Sequence, residues 1–149
     1  MLVAPSMPAP ETSAAPQPDW LPRPQLLALL DKAGHYKLTS LQAPAGSGKT
    51  TLLSQWHRQN QERHPMAWLK LEPAHNDPVR FFSDLIAAIR LVHPGFDAYY
   101  LNQLADDVEF SVDAISESLR QGFAELPAEL FVLLDDYQFI AAPAIHRTL

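Results

Sequence analysis

Hydrophobic and polar residues follow two different periods along the chain, one helical and one extended. Apolar residues recur at helical spacing in segments 24–31, 49–63, 78–89 and 111–126. Short extended patterns cover segments 36–41, 66–71 and 130–134. The last of these is apolar on both faces, as a strand inside a parallel sheet needs to be. Helices that alternate with strands predict an α/β fold, with a parallel sheet flanked by helices.

Residues that start or stop helices support these boundaries. Pro24 stands in the opening turn of the first helix, and Gly34 follows its end. Asp77 can cap the helix that Pro78 opens, so a cap explains this acid better than a catalytic role does. Pro127 should stop the last helix. The side chains expected to face the core are Trp56, Trp68, Phe81, Phe82, Leu85, Ile86, Ile89, Ile115, Leu119, Phe123 and Leu126.

Two segments give no helix or strand. Residues 1–19 form a Pro- and Ala-rich leader in which neither element can propagate, and we expect it to be disordered. Residues 93–110 show no clear period, and Pro94-Gly95 breaks any pattern there.

Bulk composition excludes several classes of function. The net charge is −6 without a run of Lys or Arg, so direct nucleic-acid binding by this segment is not expected. The chain has no cysteine, which excludes disulfides and thiolate metal sites and suits a reducing compartment. No apolar run is long enough to span a bilayer, and the first residues lack the features of a signal peptide. These observations predict a cytoplasmic protein without a membrane partner.

Residues 43–50 (APAGSGKT) form the segment with the clearest chemistry. Gly46 and Gly48 permit backbone angles and close approaches that a side chain would prevent, so backbone amides can surround an anion at the start of a helix. Lys49 can reach the β- and γ-phosphates, and the Thr50 hydroxyl can bind magnesium. The usual pattern begins with Gly, where this chain has Ala43. The residues expected to contact ATP with Mg²⁺ are Ala45, Gly46, Ser47, Gly48, Lys49, Thr50 and Thr51.

Two acidic residues follow the last apolar strand. The carboxyl ends of strands are where ligands bind in open α/β sheets. We therefore expect Asp135 to bind the metal and Asp136 to orient or deprotonate an attacking water. The alternative is that two acids merely terminate the strand and cap the next segment.

Several stretches together resemble MalT-type regulators, which are STAND-class ATPases that end in a LuxR-type DNA-binding domain. The matching stretches are residues 22–27, 43–56, 67–69, 76–78 with 81–82, and 134–137. They extend from residue 20 to residue 145, and the Ser-Gln-Trp extension of the loop is more specific than the loop itself.

The resemblance implies that residues 20–149 are the N-terminal part of a P-loop NTPase domain. It also implies a place for Arg23 near the adenine, and the alternative is that Arg23 is a solvated surface residue. It also implies that ATP and an inducer favour a self-associated form that activates transcription, while hydrolysis acts as an off-switch. The winged helix, helical-repeat arm and C-terminal DNA-binding domain of such regulators do not occur in these residues.

In this family the strand between the glycine-loop strand and the acidic strand comes later in the sequence. We therefore expect an N-terminal fragment or truncated product whose sheet is incomplete. Expressed alone, it should fold poorly and show little or no ATPase activity, whereas the full-length protein would hydrolyse ATP. A sharp two-state melt together with tight ATP binding by the 149 residues would contradict this expectation.

Two other classes of function stay open. One is a small P-loop kinase or transporter-type ATPase, although an Arg-rich lid and an acceptor pocket are not visible in the sequence. The other is a binding scaffold that holds ATP without hydrolysing it.

Overall fold

The computed structural model describes residues 21–96, 111–126 and 129–149. Its helices are α1 (Pro24–Leu30), α2 (Lys49–Asn60), α3 (Pro78–Val92), α4 (Val112–Ala124) and α5 (Pro143–Thr148), and its strands are β1 (Met66–Lys70) and β2 (Phe131–Asp135). Short 3-10 turns cover Ala33–His35, Pro73–Asn76 and Tyr137–Phe139. The expectations for residues 1–19, for most of segment 93–110 and for Pro127 lie outside the described residues.

The strands β1 and β2 pair in parallel, and their register runs from Met66 opposite Phe131 to Lys70 opposite Asp135. The ladder continues by one bond beyond β1, because the amide of Leu71 donates to the carbonyl of Asp135 at 2.9 Å. Helices α3 and α4 lie between the two strands in sequence, as a parallel connection requires. The predicted α/β class and the parallel pairing are confirmed for these elements.

Helices cover both faces of the sheet. Side chains alternate along β1, so that Met66 and Trp68 pack with α1 and α2, while Ala67 and Leu69 pack with α3, α4 and α5. Leu133 of β2 joins the α1–α2 side. This two-sided packing fixes the carboxyl ends of both strands between layers of helices.

The strand predicted for residues 36–41 is wrong. This segment has no regular secondary structure, and Tyr36 and Leu38 are 67% and 78% exposed. A strand needs a neighbour to complete its backbone hydrogen bonds. In the part of the chain that the structure describes, β1 and β2 pair with each other and no third strand lies beside this segment. Its alternating pattern therefore produces no buried face, and the glycine loop follows an exposed segment instead of a strand.

The predicted core faces are confirmed for most helices. The five predicted residues of α3 are buried, as are Ile115 and Leu119 of α4 and Trp56 of α2. The prediction that Phe123 faces the core is wrong, because this residue lies in the last turn of α4 and is 38% exposed. Its ring contacts that of Phe96 at a centroid distance of 5.3 Å. Trp68 and Leu126 are half-buried.

The predicted helix cap is also confirmed. The Asp77 carboxylate accepts a hydrogen bond from the amide of Val79 at 3.0 Å, at the start of α3. Such a cap satisfies one of the amides that have no partner within the helix. Among the described residues, none of the helices has both the length and the apolar character that crossing a bilayer requires.

Helix α3 provides a matched test of the core. Ile89 is fully buried, whereas Leu91 in the same helix is 71% exposed. We expect Ile89→Ala to lower the free energy of unfolding by about 2–5 kcal/mol, because it leaves a cavity in the core. Leu91→Ala should change it by about 0.5 kcal/mol or less. Urea denaturation followed by tryptophan fluorescence measures both, and equal losses would contradict this packing.

Candidate functional site

The glycine loop, residues 43–50, turns through two glycines in the left-handed region. Gly46 has φ 76° and Gly48 has φ 84°, and Gly48 is the N-cap residue of α2. A Cβ at Gly46 would point into open space, because nothing lies within 4 Å of its position. Gly48 has no side chain with which to cap α2, whereas Asp77 and Ser111 cap α3 and α4. The first amides of α2 therefore keep their hydrogen-bonding capacity for an anion.

Lys49 folds back over this loop. Its Nζ donates to the carbonyl oxygens of Ala43 at 2.8 Å and Pro44 at 3.1 Å. Both acceptors are neutral, so the positive charge of the ammonium group stays uncompensated beside the start of α2. A bound phosphate would be a stronger acceptor for the same proton donors.

Arg23 lies against the other side of the loop. Its Nη1 donates to the carbonyl of Ser47 at 2.9 Å, and its Nη2 lies 3.4 Å from the position a Cβ would take at Gly48. The guanidinium therefore holds the backbone of the loop and adds a second positive charge there. The structure brings Arg23 to the loop itself, a contact that the sequence did not predict.

Thr50 and Asp135 meet although they are 85 residues apart. The Thr50 hydroxyl donates to Asp135 Oδ1 at 3.1 Å, which joins the first turn of α2 to the end of β2. Oδ1 also accepts the amide of Asp136 at 3.1 Å. The two residues predicted as metal ligands are thus neighbours.

The second oxygen of Asp135 has no partner among the described residues. Asp135 is 4% exposed, and its Oδ2 is buried without a hydrogen bond from any described group. A buried carboxylate oxygen left unpaired costs about 1–3 kcal/mol or more, which a cation would offset. Hydroxyl and carboxylate oxygens are the ligands that Mg²⁺ prefers, so these two residues fit that ion. No group of three or more His, Cys, Asp or Glu side chains arranged for a metal occurs in the described residues, so the remaining ligands would be water or phosphate oxygens.

Asp136 follows in an uncommon conformation. It has φ 61° and ψ 36°, and it is the one non-glycine residue with positive φ in the described part of the chain. Its Oδ1 accepts a hydrogen bond from Nε2 of Gln138 at 2.8 Å. Asp136 stands before the Tyr137–Phe139 turn, but its side chain does not cap that turn. The capping interpretation therefore does not account for Asp136, and Gln138 is a contact that sequence reasoning missed.

Other predicted contact residues lie around the same loop. Ala45 is exposed at its tip, and Thr51 is half-buried on α2. Ser47 Oγ is buried and has no hydrogen-bond partner in the described residues. The loop thus combines exposed residues with one buried hydroxyl that lacks a hydrogen-bond partner in the described part of the chain.

Tyr137 lies two residues after the end of β2 and contacts helix α5. Its hydroxyl lies 2.7 Å from Nδ1 of His146 in α5, and the two rings pack edge to face at a centroid distance of 5.5 Å. Burial raises the pKa of the Tyr137 phenol above its ordinary value, which keeps the hydroxyl protonated and able to donate.

These observations define a mixed α/β segment in which a glycine loop and an acidic strand end meet. The chain is similar to the HTH-type transcriptional regulator MalT of Cronobacter sakazakii (strain ATCC BAA-894), with 38% identity over 130 residues. The match covers 85% of this chain and 14% of the relative, so the chain spans about one seventh of that protein's length. No protein-family model matches the chain. A MalT-like relationship is therefore shown over most of these residues, as the resemblance of the motifs predicted.

Gly48 and Gly95 provide a matched test of the loop geometry. Gly48→Ala should destabilise the fold by about 1–2 kcal/mol, because a residue with a Cβ is strained in this left-handed conformation. Gly95 lacks a positive φ, and the nearest atom to a Cβ there is 3.7 Å away on His93. Gly95→Ala should be neutral or stabilising by up to about 1 kcal/mol. Thermal unfolding of both variants measures the difference, and equal effects would contradict the loop conformation.

Proposed function

We propose that this chain supplies the residues that bind ATP with Mg²⁺ in the nucleotide-switch part of a MalT-type transcriptional regulator, and that the full-length protein hydrolyses ATP slowly. The observation that carries the proposal is the hydrogen bond between Thr50 and Asp135. It places the start of a helix that follows a glycine loop directly beside a buried acid at a strand end. That pairing is what a P-loop NTPase site requires.

The glycine loop would hold the phosphates. The uncapped amides of α2 and the left-handed glycines supply donors without side chains in the way. Lys49 would exchange the carbonyls of Ala43 and Pro44 for phosphate oxygens, which are stronger acceptors. Residues 45–51 line this loop and the first turn of α2 and would be the nucleotide contacts. Arg23 would contribute by holding the Ser47 carbonyl and by adding positive charge beside the phosphates.

The acidic strand end would serve the metal and the water. Thr50 Oγ1 and the Asp135 carboxylate would hold Mg²⁺, which when bound neutralises charge on the phosphate oxygens. Asp136, half-buried and next to Asp135, would orient the attacking water and accept its proton on the carboxylate. The hydrogen bond from Gln138 would hold that carboxylate in place.

The relationship to a transcriptional regulator supports the proposal that this nucleotide site belongs to a regulatory protein. In this proposal, residues 20–149 form the N-terminal part of a P-loop NTPase domain. DNA binding would belong to a C-terminal domain outside these residues, since this chain carries a net charge of −6. Self-association would occur in the full-length protein and respond to the nucleotide. A nucleotide held between the start of α2 and the end of β2 would stabilise the conformation that binds it, as a nucleotide-dependent switch requires.

Nucleotide affinity tests the site. Lys49→Ala should weaken MgATP binding about 10- to 100-fold, because it removes a charge-assisted hydrogen bond to phosphate. Lys37→Ala, at an exposed lysine outside the loop, should leave affinity unchanged. Titration with a fluorescent ATP analogue measures both variants. The same titration in a chimera, in which these residues replace the matching segment of the Cronobacter relative, separates a failure to bind from a failure to fold. Equal affinity of the two variants in the chimera would contradict the proposal.

Hydrolysis separates a switch enzyme from a passive ATP scaffold. Asp136→Asn should retain ATP affinity within about twofold and lower phosphate release about 100-fold or more, because the amide cannot accept the proton. Asp113→Asn, an exposed acid in the first turn of α4, is the control. Unchanged turnover in Asp136→Asn would remove this carboxylate from the mechanism. Tight binding without turnover in the unsubstituted chimera would favour the scaffold.

A further inference from the structure

Asn76 joins the two turns that follow β1 and β2. Its Nδ2 donates to the carbonyl oxygens of Pro73 at 3.1 Å and of Phe139 at 2.6 Å. Its Oδ1 accepts the amides of Ala141 at 2.7 Å and Ala142 at 3.2 Å. One half-buried side chain therefore makes four hydrogen bonds, three of them to a segment more than 60 residues away.

These bonds use the whole capacity of an asparagine amide. Its NH₂ group has two donors and its carbonyl oxygen accepts two bonds, so no other side chain of this size makes the same set. Aspartate keeps the acceptor but places a carboxylate against the carbonyls of Pro73 and Phe139. The residue type at position 76 is thus determined by backbone groups of both turns.

The three long-range bonds of Asn76 go to residues 139–142, at the end of the turn that follows Asp136 and just beyond it. The amide of Phe139 donates to the carbonyl of Asp136 at 3.1 Å, and the carbonyl of the same Phe139 accepts from Asn76. Beyond the turn, the amides of Ala141 and Ala142 are fixed by the same side chain. The turn is therefore held on both sides of Phe139, with Asp136 at its start.

Asp136 needs such support. A left-handed conformation at a residue other than glycine costs about 1–2 kcal/mol and persists where the surroundings fix it. The Gln138 bond that orients the Asp136 carboxylate also belongs to this turn. If the turn moved, both the backbone of Asp136 and the donor to its side chain would move with it.

We propose that Asn76 is a positioning residue that holds Asp136 in its orientation for the hydrolysis step. This inference rests on the proposed function, in which Asp136 orients the attacking water. One bond of Asn76 goes to the turn after β1 and three go to residues 139–142 after β2, whereas phosphate would be held by the glycine loop. Loss of Asn76 should therefore slow the chemical step and leave ATP affinity nearly intact.

Steady-state ATP hydrolysis tests this in the chain and in the chimera described above. Asn76→Ala should lower kcat about 10- to 100-fold, since small misplacements of a catalytic group have effects of this size. Its KM for ATP should change by about threefold or less. Because unfolded protein lowers the apparent kcat without changing KM, kcat is calculated per folded molecule. Asn76→Asp retains the acceptor oxygen but loses the donor to Phe139, so its kcat should also fall while its KM stays nearly unchanged.

Asn60→Ala is the matched control. Asn60 is also half-buried, and its amide also donates to a backbone carbonyl, that of Trp56 at 3.1 Å, but it lies at the end of α2. It should leave both kcat and KM unchanged. Thermal unfolding of all variants shows whether each is folded.

A double-mutant cycle with Asp136→Asn decides between positioning and a structural role. If Asn76 acts through Asp136, Asn76→Ala should cause no further loss of kcat in the Asp136→Asn background. Additive losses, or a parallel change in kcat and KM, would overturn the inference. Unchanged turnover in Asn76→Ala would overturn the inference alone. Absence of ATP binding in the unsubstituted chimera would overturn the proposed function and, with it, this inference.

Discussion

Asp135 ends β2 with 4% of its surface exposed, and its carboxylate accepts hydrogen bonds from the Thr50 hydroxyl and the Asp136 amide. An ionised carboxylate in such a place is costly unless other groups offset its charge. The two donors satisfy only Oδ1, and the buried Oδ2 stays without a partner among the described residues. A cation at Oδ2 would complete the site, and the position of α2 relative to β2 is what makes that arrangement possible.

Helix α2 is aligned with β2 by one contact near its start and one just past its middle. Near its start, Thr50 reaches Asp135, while two turns later Trp56 packs edge to face on Phe131 with ring centroids 5.3 Å apart. The indole nitrogen of Trp56 also donates to Asp31 at 2.9 Å, which connects α2 to the end of α1. From Thr50 to Trp56 the helix rises about 9 Å, and from Phe131 to Asp135 the strand extends about 13 Å. The two contacts are therefore well separated, and they define the direction of the helix along the strand.

Periodicity in the sequence predicted the elements whose partners are also periodic. The inner face of α3 is buried, and the apolar residues of β2 are buried or half-buried against helices on both sides, so their patterns determine where they lie. The segment 36–41 has a strand-like pattern, but a strand also needs a neighbour, and periodicity says nothing about one. Phe123 shows a related limit, because helical spacing places it on the inner face while the end of α4 leaves it exposed.

In the site too, local features could be predicted from the sequence, whereas contacts between residues distant in sequence could not. The glycines at positions 46 and 48 indicated a loop with backbone angles that a side chain would disfavour, and both have positive φ, since such conformations are local properties. Asp135 was predicted at the site from the rule that ligands bind at the carboxyl ends of parallel strands, but its hydrogen bond with Thr50 was not predicted. The contact of Arg23 with Ser47 and the bonds of Asn76 to residues 139–142 could not be read from the sequence. They depend on how turns distant in sequence approach each other, which no local pattern encodes.

The distribution of charge in the site explains why both halves remain available to ligands. Lys49 and Arg23 donate to backbone carbonyls, which are neutral acceptors, and Asp135 accepts from a hydroxyl and an amide, which are neutral donors. A direct ion pair between Lys49 and Asp135 would satisfy both groups and weaken the attraction of each for a ligand. Held apart by neutral partners, the cations keep their attraction for anionic phosphate and the carboxylate keeps its attraction for a metal ion. The neutral hydrogen bonds therefore fix the positions of the charged groups without cancelling their charges.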